Sequence, residues 1–261
     1  MLNKINLKMK KNFRQVNLNK RMKEIYKKDL YYISIPPVHS EYEESYHEVA
    51  IDPDGKKRYL LEEREHSLRG IPEIRKWIKE MSGGKILDVG CGPGWLLSSL
   101  GDEWDCYGVE VSSFASNIAK KYAKIHNGTI ENYDEKNFDL IVTNHVIEHI
   151  PKPIPFLKKI KSLLKPEGKL ILGTPDFDCA AARRYGDNFR LLDDPTHVSL
   201  FSLDSMHRCL RDIGFHIDDV EFPYFDTPWF NKESLLRILK NRGVSPPFYG
   251  SNMTFFCSIK K

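Results

Sequence analysis

The sequence predicts an α/β fold: a doubly wound, mainly parallel sheet with an antiparallel C-terminal strand. Three observations carry that expectation. Short apolar runs alternate with stretches of helical spacing, a glycine cluster follows the first run, and an acidic residue closes the second.

In chain order, Lys85–Val89 is the first predicted strand, with a helix starting over Trp95–Leu100. Asp105–Glu110 is the second strand, leading into a helix over Phe114–Ile125. Thr129-Ile130 is a short third strand. Phe138–Thr143 is the fourth, followed by a helix over Pro155–Leu164. Lys165-Pro-Glu-Gly168 reads as a turn and Lys169–Thr174 as the fifth strand. Past Pro175 the chain is loop-rich. A helix is then predicted over Leu203–Ile213, with strands at Phe215–Glu221 and Thr254–Ile259.

Three domain-level segments are expected: a basic leader over 1–30, an N-terminal extension over 31–84, and the main domain over 85–261 with an insertion at 222–252. The extension shows helical spacing from Leu60 to Met81, broken near Gly70-Ile-Pro72. Its Tyr31, Tyr32, Tyr42 and Tyr46 are read as a candidate lid, with ordinary packing as the alternative. The insertion has a helical core at Lys232–Lys240, and its Trp229 and Phe230 are candidates for lining a pocket.

The 261 residues are 41% hydrophobic and 29% charged, the balance of a globular protein. Net charge is +4, but ten Lys/Arg against Glu24 and Asp29 give the leader +8 and leave the rest at −4. Such an arm reads as a solvated leader, or as a contact for nucleic acid or anionic lipid. Met1–Val16 is interrupted by Lys and Asn, unlike a secretory leader, and no stretch reaches the ~18 apolar residues of a membrane span. The expected location is the cytoplasm. Cys91, Cys106, Cys179, Cys209 and Cys257 are scattered, with no C-x-x-C pair and no complete disulfide framework.

The most informative stretch is Leu87-Asp-Val-Gly-Cys-Gly-Pro-Gly94. Glycines in a strand-to-helix turn let backbone amides approach a ligand, and a following helix offers its positive end to an anion. Glu110, 22 residues after Asp88, can accept hydrogen bonds from both hydroxyls of a ribose. Loop and acid together favour a nucleoside-containing cofactor. The dinucleotide fingerprint fails because Trp95 falls where a small third residue is required, and no Gly-Lys-Ser/Thr follows for a phosphate loop.

Residues 85–174 resemble the class I S-adenosylmethionine-dependent methyltransferases, particularly a small-molecule branch that includes enzymes of bacterial surface-polysaccharide biosynthesis. Asp88–Gly94 is similar to the family's first motif and Glu110 to its ribose-binding acid. Phe138–His149 is similar to the fourth-strand motif, and Leu163–Lys169 to the turn before strand five. The resemblance implies a Rossmann-like sheet and S-adenosyl-L-methionine as cofactor. It places Gly90, Gly92 and Gly94 against the methionine portion, Thr129 and Ile130 near the adenine, and Asn144 and His145 beside the cofactor. Asp88, Cys91, Trp95 and Val111 complete the expected cofactor set.

For the acceptor side, His197 in Asp193-Asp-Pro-Thr-His197 is the first candidate as base or ligand, and His149 the second. Arg183, Arg184 and Arg190 suggest an anionic acceptor. The expected substrate is a small polar molecule, methylated on an oxygen of a sugar, phosphate or phosphoramidate-bearing metabolite of capsule biosynthesis, with nitrogen as an alternative atom. An RNA methyltransferase and a non-catalytic cofactor-binding protein are the competing readings. His145-Val-Ile-Glu-His149 also matches a zinc-peptidase pattern. That pattern needs a helix, and Pro151 and Pro153 leave little room for one, so no metal is expected.

Overall fold

In the computed structural model, residues 31–35, 49–51, 57–59, 64, 68, 71–192, 194, 196–222, 232, 236, 239 and 250–260 are described. Short strands β1 (Ile33–Ser34), β2 (Val49–Ile51) and β3 (Lys57–Tyr59) precede helix α1 (Pro72–Lys79). The main domain continues through β4 (Gly84–Val89), β5 (Trp104–Glu110), α2 (Ser113–Ala119), β6 (Lys124–Asn127), β7 (Phe138–Asn144), α3 (Pro153–Leu163) and β8 (Leu164–Pro175). It ends with α4 (Ala180–Tyr185), β9 (Ser199–Leu200), α5 (Leu203–Ile213), β10 (Phe215–Glu221) and β11 (Asn252–Ile259).

The central sheet has seven strands in the order β10-β11-β8-β7-β4-β5-β6. Strands β4 to β8 are parallel, and β11 runs antiparallel between β8 and β10. The chain winds outward from β4 through β5 and β6, then returns to lay β7 and β8 on the other side. That reversal opens a crevice at the carboxyl ends of β4 and β7, where such sheets bind ligands.

Side chains alternate between two cores, as strand geometry requires. Leu87, Ile141 and Leu170 face α3 and α5, meeting Phe156, Ile160 and Met206. Ile86, Leu140 and Ile171 face the opposite way, onto Ile74 and Ile78 of α1. Both faces are covered, which explains strands that read as continuous apolar runs.

Three expectations require correction. The third strand is Lys124–Asn127, not Thr129-Ile130; it pairs with Tyr107–Glu110 at the sheet edge, where one-sided packing leaves little apolar signal. Accordingly α2 ends at Ala119 instead of continuing to Ile125. After the glycine loop there is no α-helix over Trp95–Leu100, only a 3-10 turn at Leu97–Ser99.

The predicted turn at Lys165–Gly168 falls within β8 as an irregularity: Phe138 pairs with Leu164, and Leu140 with Lys169. The α5 and β10 boundaries match expectation, and β11 begins at Asn252. Of the helical stretch predicted over 60–81, the described helix is Pro72–Lys79. The leader, Tyr42, Tyr46, Trp229, Phe230 and most of the 222–252 insertion lie outside the described residues.

Tyr31 hydrogen-bonds Asp212, and Tyr32 packs on Phe201. All five cysteines are free. Among the described residues no helix is long and apolar enough to cross a membrane.

Candidate active site

A cavity of about 510 Å³ lies at the carboxyl ends of β4, β5, β6 and β7, a size suited to a small ligand. Its floor is the glycine loop. Gly90 has φ +74°, and a Cβ there would sit 2.4 Å from Val146 Cγ2, so only glycine fits. At Gly92 (φ +52°) a Cβ would meet nothing within 4 Å, so the backbone itself faces open space.

Glu110 secures this floor. One carboxylate oxygen accepts from the Gly92 amide and the other from the Ser112 amide, each at 2.8 Å. A carboxylate has about four acceptor sites, so capacity for two ribose hydroxyls remains. Its tie to the glycine loop is a role that motif reading did not supply.

Of the residues singled out from the sequence, Gly90, Gly92, Glu110, Val111, Thr129, Ile130, His145 and His149 line the cavity. Thr129 and Ile130 do so from the turn after β6 rather than from a strand. Asp88, Cys91, Gly94, Trp95, Asn144 and His197 are not among its lining residues. Asp88 is buried in β4, where burial and then the Glu110 charge push its carboxyl up to about 7. Cys91 is buried, and its Sγ lies 2.7 Å from where a Gly108 Cβ would stand. Gly94 abuts Ala119, Trp95 packs near Tyr122, and Asn144 fills the space left by Gly173. The wall also includes Glu131, Val146, Ile150, Lys152 and Phe156. Their sequence signal was limited to proximity to the motifs.

On the acceptor side His145 has φ +56°, a left-handed conformation that turns the chain sharply out of β7. Residues 147–149 form a 3-10 turn, so His145 and His149 do not share an α-helical face. The His145 ring instead meets Glu148 at 2.9 Å, with Thr174 donating to the other Glu148 oxygen at 3.1 Å. Burial alone would raise the Glu148 carboxyl. The His145 hydrogen bond and the imidazoles of His145, His149 and His197 outweigh that and hold it at about 2.

His197 stands behind His149, their ring centroids 4.9 Å apart. The segment carrying it is fastened to the 147–150 turn by Val198 N–H donating to Glu148 O (2.8 Å) and Ser199 Oγ donating to Ile150 O (2.7 Å). Glu148, His149 and His197 each bring one ligand atom within 4.8 Å of the others, a spacing that can hold a metal ion. Arg183 forms a two-pronged pair with Asp178. Neither it nor Arg184 nor Arg190 is among the cavity's lining residues.

The sheet order, the glycine floor and the acid beside it define the fold of an S-adenosylmethionine-dependent methyltransferase. Among solved structures, one such protein from Thermotoga maritima, described as a possible histamine N-methyltransferase, is 21% identical with a TM-score of 0.55, covering 75% of this chain and 91% of its own. The plantazolicin methyltransferase BpumL, solved with SAH and a desmethyl-plantazolicin analogue, is 19% identical with a TM-score of 0.52, covering 76% and 84%.

The profile described as "Methyltransferase domain" matches residues 61–220, and the chain belongs to that family. Curated relatives are named ubiquinone biosynthesis O-methyltransferase. The Xanthomonas euvesicatoria protein is 29% identical over 70% of this chain and 82% of its own. The mitochondrial protein of Schizosaccharomyces pombe is 32% identical over 47% and 49%. The chain spans about half the length of the first curated relatives it matches.

Proposed function

We propose that the chain transfers the methyl group of S-adenosyl-L-methionine to an oxygen of a small polar acceptor, with His149 as the acceptor-side base. One observation carries this reading: His149 lines the same cavity as the Gly92–Glu110 floor, so a base and a nucleoside-binding acid share one chamber. The bound cofactor supplies a sulfonium-activated methyl group. Glu110 and the backbone at Gly92 hold its nucleoside and methionine portions, and Val111 and Ile130 exclude water from the adenine side. His149 takes the proton of the acceptor hydroxyl. His197, being buried, supports the His149 ring from behind. Positioning of this kind accounts for roughly 7–11 kcal/mol of barrier reduction in strongly oriented reactions.

The relatives' names support oxygen as the atom and a quinone-pathway intermediate as the acceptor class. The sugar, phosphate or phosphoramidate acceptor has weaker support, because Arg183 is already paired with Asp178. Incubation with methyl-labelled cofactor and fractionated metabolite extract, followed by identification of the labelled product, separates these classes. His149→Gln is expected to lower turnover by roughly 100-fold or more with little change in SAH affinity. Undiminished turnover would remove His149 from the mechanism.

A second reading has its own observation in the Glu148–His149–His197 cluster. A divalent ion there would hold and ionise the acceptor oxygen as a Lewis acid. Metal analysis of the purified full chain tests it: a stoichiometric ion lost in His197→Ala supports this reading, and no ion above background rejects it.

A further inference from the structure

The loop between α4 and β9 supplies a hydrogen-bonded chain that the methyltransferase motifs do not include. Thr196 Oγ1 lies 2.6 Å from Asp194 Oδ1 and 2.8 Å from His149 Nδ1. The Thr196 carbonyl oxygen lies 3.3 Å from that same ring nitrogen. The geometry points to Thr196 and Asp194 as positioning residues that fix His149 as its Nδ1–H tautomer, so that Nε2 carries the lone pair used at the cavity. This rests on the proposed role of His149 as the acceptor-side base.

The assignment follows from counting protons. A hydroxyl has one proton to give and an ionised carboxylate can only accept. Asp194 Oδ1 accepts from the Thr196 backbone amide at 2.8 Å, and an amide N–H can only donate, so that oxygen is an acceptor. It takes the Thr196 hydroxyl proton as well. Thr196 Oγ1 is then an acceptor toward the ring, as its carbonyl must also be, so Nδ1 is the donor. In a neutral imidazole only one nitrogen is protonated, which leaves the lone pair on Nε2.

The neighbouring ring obeys the same logic. His197 Nδ1 lies 2.5 Å from the Leu191 carbonyl oxygen, which can only accept. Among the described residues, Glu148 also faces the pair, and His145 reaches it through Glu148. When the acceptor O–H bond breaks, its proton passes to His149 Nε2. The oxygen forms the new bond to carbon, the carbon–sulfur bond breaks, and the electron pair stays on sulfur. The resulting imidazolium is hydrogen-bonded through Thr196 to the Asp194 carboxylate, as orienting carboxylates act on catalytic histidines elsewhere.

The test is the histidine tautomer, read from long-range 1H–15N correlations on the 15N-labelled full chain with SAH bound. Wild type is expected to show His149 with its proton on Nδ1. Thr196→Val should populate both tautomers and lower kcat roughly 10- to 100-fold with cofactor KM unchanged, while Thr196→Ser restores both readouts. An Nε2–H tautomer in wild type, or unchanged tautomer and kcat in Thr196→Val, would overturn the assignment. The spectrum needs no acceptor. A confirmed tautomer combined with full turnover in His149→Gln would therefore reject the base role alone.

Discussion

Glu110 does two things with one side chain: it pins the Gly92 amide and presents its remaining lone pairs to the cavity. Glu110→Ala removes charge-assisted bonds worth about 1.5–3 kcal/mol each. SAH affinity is accordingly expected to fall about 10- to 100-fold by calorimetry. An unchanged Kd would mean that the ribose is held elsewhere. Asp88 offers a pH prediction. Its carboxyl is raised to about 7 by burial and then by Glu110, so the native state keeps a proton that the unfolded chain releases near pH 4. The native state therefore loses stability, on the order of 3–4 kcal/mol from this group, as pH rises from about 4 to 7, and no more above that. His197 acts oppositely. Held neutral mainly by burial, it lowers stability as pH falls below about 6.5, where the unfolded chain takes up a proton. Urea titrations at pH 5 and 8 should show a smaller fall for Asp88→Asn than for wild type; parallel slopes would count against the buried-acid account.

Among the elements, α5 was fully legible because its punctuation is local. Ser202 and Ser205 form a capping box, and Gly214 at φ +94° ends the helix in a left-handed turn. Ser202→Ala should cost about 1 kcal/mol in urea unfolding; a neutral result would show that Met206 and Leu210 packing alone sets the helix start. Strand β6 was misplaced because Lys124, His126 and Asn127 carry little apolar signal, and its identity comes from pairing with β5. The stretch after Gly94 was misread because Leu96 and Leu97 are apolar enough to suggest a helix. Both instead pack into the core around a single 3-10 turn. No α-helix N-terminus therefore follows the glycine loop there.

At the scale of the whole molecule, the cofactor half of the proposed site has a local signal, because the glycine loop and Glu110 sit at the ends of adjacent strands in fixed register. The acceptor half was only partly readable. His149 and His197 stood out by residue type, but Thr196 meets His149 across 47 residues of chain, a contact no local pattern encodes. Ligand binding should couple to global stability: SAH at 100 times its Kd adds about 2.7 kcal/mol, a rise of roughly 5–10 °C in Tm for a domain of this size. A Glu110→Ala chain showing the same rise at that same SAH concentration would contradict the assigned floor.

The two-residue ladder between Ile33 and Leu200 binds the front of the described chain to the strand just past His197. It acts as a buckle on one side of that strand, while Val198 and Ser199 tie the other side to the 147–150 turn. Unfastening it would loosen the strand's outer edge while the glycine floor, built within the parallel sheet, stays shut. Amide exchange should then report two independent openings, with Leu200 exchanging well before Val89. Such a chain would hold its front end and its glycine loop by separate fastenings, so that one can open without the other.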